Sequence, residues 1–360
     1  MINLKHHLSN ANASIDQVLD DTVEALWAHL NIFSQKKQPA EKGIKRNAEK
    51  FKVTIFEDSH SAKYGKQAAK RHQEFMNHIL TSDNLKQIII AKPSQFQSII
   101  NQMNKILDDE DYNTVYYNAL KIPSFSDLLL NNVFKYALYR DSLFCSSLYI
   151  GLNFVQMTCP YCNEYPVKII ERKNKPGTKP TLHFDLDHFY PKNRYPYLAL
   201  SFYNHIPCCK YCNSLHKGDK LFSVDSHIHP WDRNFDELYS FSYSHDALRG
   251  HSVDDVKIIK NSAFDDALCT DLELEERYKT NIEYANINRL ISILADYRYF
   301  IEQDSPCSDR DRDRLKERIA DFGLVFSGSQ ILQRPWSKMQ RDLVKFFDVN
   351  NILSLNKTSL

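Results

Sequence analysis

The chain has 360 residues, 46 Lys and Arg against 45 Asp and Glu, a formal net charge of +1, and ordinary hydrophobic (42%) and charged (25%) fractions. That length favours two domains, or one domain around an embedded module, and near-neutrality excludes a chain that grips a polyanion by overall charge; a local stripe or a partner has to supply that grip. Only 8 glycines argue against Gly-rich nucleotide loops and a turn-dense all-β fold, and no run approaches the roughly 18 apolar residues that a membrane span requires.

Ile15, Val18, Leu19, Val23, Leu26 and Leu30 recur at spacings of three and four, which predicts one apolar helix face. A stretch rich in Lys and Arg over residues 36–71 reads as a solvated helix surface with a linker, or as a phosphate-contacting patch. Helical periodicity continues from Phe75 to Leu107 through Ile79, Leu80, Leu85, Ile88, Ile89 and Ile90. Pro93 and Pro123 predict breaks, and Leu128 to Leu148 predicts an apolar helix. Residues 1–150 are therefore expected to form an N-terminal helical region. Over 151–230 the periodicity fades, and Cys, His, Asp, Pro and Asn crowd together. With few large apolar residues, this stretch is expected to be held by small turns and side-chain ligands. The helical pattern returns over 231–360, strongest at 265–300 with Leu268, Leu272, Leu274, Tyr278, Ile282, Ile287, Leu290, Ile291 and Leu294. The DRDRDRLKER run at 309–318 predicts a charged, solvated helix start. The predicted fold class is mainly α with a small embedded α+β module.

Cys159-Pro-Tyr-Cys162 and Cys209-Lys-Tyr-Cys212 are two CxxC pairs within that module. Each pair predicts a tight turn presenting two thiolates, and two such turns complete a closed tetrahedral site, so the expected ion is a structural zinc. Cys208 adjoins Cys209, but only Cys209 has the right spacing to Cys212. The start MINLKHHLSNANAS has no apolar core like that of a secretory signal, so a reducing cytoplasm is expected, where paired CxxC turns read as metal ligands rather than disulfides. Cys145, Cys269 and Cys307 are read as buried small hydrophobes.

Between the pairs lies His183-Phe-Asp185-Leu-Asp187-His188-Phe-Tyr190-Pro191-Lys192. Its alternation predicts a short strand with His183, Asp185 and Asp187 on one face and His188 beginning a turn. Downstream, Asn204 precedes Cys212-Asn213-Ser-Leu-His216-Lys217-Gly218, which begins like a helix under the second CxxC turn.

The string DLDHFYPKNRYPYLALSFYNHIPCCKYCNSLHKGDK, framed by these pairs, resembles the HNH endonuclease family and its ββα-metal fold over roughly residues 157–220. Its wording is similar to HNH proteins of bacterial antiphage systems, among them the nuclease subunits that work beside an ATPase partner in Septu-like and retron-associated defence. The resemblance implies a metal-dependent cut of a phosphodiester bond in DNA or RNA. It implies His188 as the general base, a role suited to an imidazole that titrates near neutrality. It implies Asp187 and Asn213 as holders of one Mg²⁺ or Mn²⁺, and Asn204 as the residue that pins the loop and orients the histidine. It gives Lys217 a phosphate contact, although three residues separate Lys217 from Asn213 where the commonest family form has two. His216 is an alternative ligand. His183 and Asp185 are either supports behind the metal ligands or polar surface, and Lys192, with Tyr190 and Arg194, either touches phosphates or lies in a solvated loop. His227 and His229 are read as loop structure or as facing substrate. Two further readings are an inactive zinc-knuckle module that only holds nucleic acid or a partner, and a redox protein using its CxxC pairs.

Overall fold

A computed structural model describes residues 3–9, 14–32, 43–117, 120–171, 179–302 and 308–355. Helices Ile15–Leu30, Ile44–Ile55, Asp58–Tyr64, Lys66–Leu80, Asn84–Ile90 and Pro93–Met103 follow one another along the first third of the chain. The apolar face expected on the first of these buries Leu19, Val23 and Leu26. Pro93 opens a helix rather than ending one, because at the first helical position its missing N–H has no partner to lose. The basic stretch is partly neutralised where it is described: Arg46 meets Glu49, Lys70 meets Glu74, and Arg71 grips Asp111 at 2.8 Å.

The single apolar helix expected over Leu128–Leu148 is instead broken into Phe125–Leu129, a π-helical turn Leu130–Phe134, Tyr136–Arg140 and Leu143–Gly151. Lys135 takes a left-handed conformation at φ 32°, which ends the π turn. Ser142 restarts the helix by accepting a bond from the Cys145 N–H at 3.0 Å. Periodicity cannot see such breaks, because they are made by backbone geometry and a capping hydroxyl rather than by apolar spacing.

Strands are short. β1 (Val115–Tyr117) and β2 (Leu120–Ile122) form one antiparallel pair. β3 (Gln156–Thr158), β4 (Pro166–Ile170) and β5 (Thr181–His183) form an antiparallel sheet in chain order. β6 (Asp185–His188) and β7 (His205–Cys208) form a separate antiparallel pair that sets Asp185 opposite Cys208 and His188 opposite His205. β8 (Tyr239–Ser242) pairs with β9 (Lys257–Lys260). The one strand expected from His183 to Asp187 is thus two strands in two sheets. The break falls at Phe184, whose carbonyl accepts from Arg140 Nη2 at 2.6 Å instead of continuing a ladder. His183 is therefore exposed on another sheet and does not share the Asp185 and Asp187 face.

Helices return with Leu268–Asp271, Leu274–Thr280, Ile287–Asp296, Arg298–Glu302, Asp309–Phe322 and Ser337–Phe347. The charged run at 309–318 opens a helix as expected, capped by the Ser308 hydroxyl on the Asp311 N–H at 3.2 Å. Contrary to the sequence reading, the middle of the chain does have large core residues. Phe189, Tyr190, Tyr197, Phe202, Tyr203, Phe222 and Trp231 are all buried, in a cluster that runs from Leu4 to Leu355. These aromatic residues carry no period, so pattern reading passes over them. Asn163, at φ 51°, ties this middle stretch to the C-terminal part. Its Nδ2 donates to Thr158 Oγ1 (2.7 Å), Ile331 O (3.0 Å) and Arg334 O (3.1 Å), and its Oδ1 accepts from Lys338 N at 2.9 Å. Among the described residues, no helix is long and apolar enough to cross a membrane.

Candidate metal centre and adjoining cleft

The two CxxC turns meet. The sulfurs of Cys159, Cys162, Cys209 and Cys212 all lie within 4.8 Å of one another, buried and unbridged by disulfides, with Cys162 and Cys209 3.9 Å apart. A tetrahedral zinc with bonds of about 2.3 Å sets its sulfurs about 3.8 Å apart, so the cluster fits that ion. Burial pushes the Cys159 and Cys212 thiols well above their ordinary range, which is the penalty that bare thiolates meet in a dry pocket and that a divalent cation removes. Cys208 lies outside the cluster, as its spacing predicted. Cys145 is buried, Cys269 only half-buried, and Cys307 falls outside the described residues.

One ligand-side residue was not legible in the sequence. Arg277, on helix Leu274–Thr280, places Nη1 3.4 Å from Cys212 Sγ and Nη2 2.8 Å from Glu164 Oε2. It sets a cation against a cluster of four thiolates, whose charge one zinc neutralises only by half. Nothing local marks it, since the contact crosses 65 positions of chain.

Beside the cluster, β6, the loop that follows it and a π-helical turn, Tyr211–Lys217, line a cleft of about 520 Å³ together with the helix Tyr136–Arg140. Asp185, Asp187, His188, Lys192, Asn213 and Lys217 all face it. His188 Nε2 lies 3.1 Å from the carbonyl of Ala199. A carbonyl only accepts, so Nε2 carries the proton and Nδ1 keeps its lone pair. His205, which the sequence reading missed, donates from its Nε2 to the same carbonyl at 2.9 Å, and its ring stands 5.1 Å from that of His188. Burial pushes His188 well below its ordinary value, helped by His205 and Lys192, and lowers His205 to about 4. Both imidazoles are neutral near pH 7.

Asn204, fully buried, accepts the Tyr190 N–H at Oδ1 (2.8 Å) and donates to the Tyr190 and Leu198 carbonyls at 3.1 Å each. It ties together the two ends of the loop that carries Ala199. Asn213 Nδ2 donates to Asp185 Oδ2 at 3.0 Å, so Asp185, half-buried, belongs to the cleft wall.

Lys217 does not sit where a phosphate contact was expected. Its ammonium is only 2% exposed and donates to both oxygens of Asp187, at 2.6 and 2.8 Å, and to the carbonyls of His188 and Phe189. A buried ammonium requires such acceptors, and here they take up its whole donor capacity. Tyr161 adds a hydroxyl bond to Asp187 Oδ2 at 2.8 Å. The turn closes with Gly218 N bonded to Asn213 O, an i to i+5 bond.

The remaining candidates separate. Lys192 is exposed on the rim, its ammonium 5.6 Å from the Tyr136 ring centroid. His216 lies 3.6 Å from Glu273 and belongs to neither the four-sulfur cluster nor the cleft lining. The Tyr190 hydroxyl accepts from Val224 N, and Arg194 pairs with Asp109, so neither lines the cleft. His227 stacks on Phe222 and binds Asp271, and His229 is buried against Trp231, so both are loop structure. Among the described residues, the four cysteines are the one group of His, Cys, Asp and Glu that converges on a single point. A second cation would have to rest on Asp187, Asp185 and the Asn213 carbonyl, an oxygen set suited to Mg²⁺ or Mn²⁺ with water completing the shell. Comparison of the chain with protein-family models, with curated proteins and with solved structures finds no match.

Proposed function

We propose that the cleft is a phosphodiester-hydrolysing site of the HNH type, and that the protein is a metal-dependent endonuclease acting on nucleic acid. The observation that carries the reading is His188: a neutral imidazole with its Nδ1 lone pair uncommitted, adjacent in sequence to Asp187 and lining one cleft with Asn213. The order of strand β6, strand β7 and a helical turn, stapled by four cysteines, accords with a ββα-metal module. The departure in spacing has a physical account. A π turn closes on the fifth residue rather than the fourth, so it absorbs the extra residue between Asn213 and Lys217 and keeps both on the cleft side.

In this reading His188 takes a proton from water at Nδ1, while the Ala199 carbonyl fixes the ring and Asn204 fixes the loop. Asp187, with Asn213 and Asp185, holds the Mg²⁺ or Mn²⁺ that supplies charge neutralisation at the phosphoryl oxygens and the leaving alkoxide. The zinc is structural and holds the two strands and the helical turn in register. The likeness to antiphage HNH subunits extends the proposal to an effector that works beside an ATPase partner. The test is digestion of plasmid and of tRNA with Mg²⁺ or Mn²⁺, with and without a copurified partner. His188→Ala is expected to lose about 10²–10⁴-fold in rate, and wild type and variant failing alike under every condition would sink the enzyme reading.

A second reading has one observation in its favour. Both Asp187 oxygens are already engaged by Lys217 and Tyr161, an arrangement that also suits a module holding nucleic acid without cutting it.

A further inference from the structure

We infer that this cleft takes a single, unstacked strand of nucleic acid, with a phosphate lying between Arg140 and Lys192, and excludes the backbone of an intact duplex. The cutting step rests on the nuclease reading above; the binding preference does not.

The groups that would react are recessed, with Asp187 3% and His188 6% exposed. Tyr136 stands over His188, ring centroids 4.3 Å apart and edge to face. The helix that carries Tyr136 is bonded to the strand region it shields. The Tyr136 hydroxyl donates to the Leu186 carbonyl at 3.3 Å, and Arg140 holds the Phe184 carbonyl. These bonds occupy the edge of β6 that β7 leaves free, so this wall is part of the hairpin rather than a loose lid. A volume of about 520 Å³ is that of a site for one small-molecule-sized unit. A stacked duplex is a stiff rod that cannot thin itself to enter. A single strand can turn one phosphate inward and lay a base on an aromatic face.

The charges divide in the same way. Lys217 is spent on Asp187. Among the described residues, Lys192 has no carboxylate partner, and Arg140 donates only to the Phe184 carbonyl, so these two cations remain for phosphate. Asp127, Asp185 and Asp219 also line the wall. Three carboxylates against two cations repel a polyanion, so a divalent ion is required before a strand can bind.

The test uses the full-length His188→Ala protein, loaded with zinc, in millimolar Ca²⁺. Fluorescence anisotropy is measured with a labelled oligodeoxynucleotide, the matching oligoribonucleotide and the blunt duplex. At least one single strand is expected to bind about tenfold or more tighter than the duplex, and leaving out Ca²⁺ from the zinc-loaded protein should abolish the difference. Lys192→Gln, at an exposed position, is expected to weaken single-strand binding about threefold or more. Tyr136→Ala should narrow the gap between single strand and duplex. Equal or tighter duplex binding, no binding of any probe, or a Lys192→Gln protein that binds like its parent overturns the inference. A strand preference that persists although wild type and His188→Ala cut no substrate would refute cleavage alone and leave this inference standing.

Discussion

Lys217→Met removes a charge that the fold has committed to one carboxylate. The pair is almost fully buried, with Lys217 2% and Asp187 3% exposed, and the ammonium contacts both carboxylate oxygens. Breaking a buried pair from one side costs about 3–5 kcal/mol, because the surviving charge stays buried without compensation. Met keeps most of the apolar stem that packs near Phe222, and Tyr161 still donates to Asp187 Oδ2, so the lower end of that range applies. The double variant Lys217→Met/Asp187→Asn removes both charges and should recover most of the loss, giving a coupling of about 2–3 kcal/mol. Urea unfolding of the zinc-loaded proteins at pH 7 measures all four corners of the cycle. Mg²⁺ adds an independent arm. Where it replaces the missing ammonium on Asp187, it should restore about 2.7 kcal/mol at a hundred times its dissociation constant, and wild type should gain less. A single-variant loss below about 1 kcal/mol, or additive single losses, would refute the reasoning.

Removing the structural ion should be more severe. Zinc binding at such sites is worth about 10–16 kcal/mol, comparable with the whole stability of a typical domain. Cys209→Ser, or a strong chelator, is therefore expected to abolish cooperative melting of the middle stretch, read by near-ultraviolet circular dichroism alongside zinc content. Asn204→Ala deletes three buried hydrogen bonds worth about 1 kcal/mol each; a loss well under about 1 kcal/mol in urea midpoints would show that the loop does not depend on it. Acid should destabilise the fold. Burial lowers His205 to about 4 and His229 to about 3, so between the unfolded value near 6.5 and those folded values the unfolded chain binds more protons. Stability is thus whole above about pH 7 and falls as pH drops, by roughly 1.4 kcal/mol per unit for each of the two histidines near pH 5. Unfolding free energies that stay flat from pH 7 to 5 would contradict this.

Much of the site was legible because its chemistry is local. Two CxxC spacings suffice to foresee a four-sulfur cluster, and the alternation around Asp187 marks a strand, although it runs from Asp185 to His188 and takes in the histidine that was expected to begin a turn. The parts that escaped are those in which distant chain decides the outcome. His205 carries no signature, and only its pairing opposite His188 brings both rings to one carbonyl. Arg277 reaches the cluster from the C-terminal helices. The phosphate contact expected for Lys217 came from the family resemblance, which does not show that a buried carboxylate, Asp187, takes up its ammonium. The strand broken at Phe184 has the same cause, since Arg140 takes the carbonyl that regular alternation assumes is paired within a ladder.

Asn163 also has a bearing on how the protein comes into being. Three of its four side-chain partners, Ile331, Arg334 and Lys338, follow both sulfur turns in the order of synthesis. A growing chain therefore carries both sulfur turns, and the histidine between them, well before the anchors of the first turn exist. A protein ending before residue 331 is expected to hold zinc weakly, and a truncate that retains it as tightly as the whole chain would show that this late tether is dispensable.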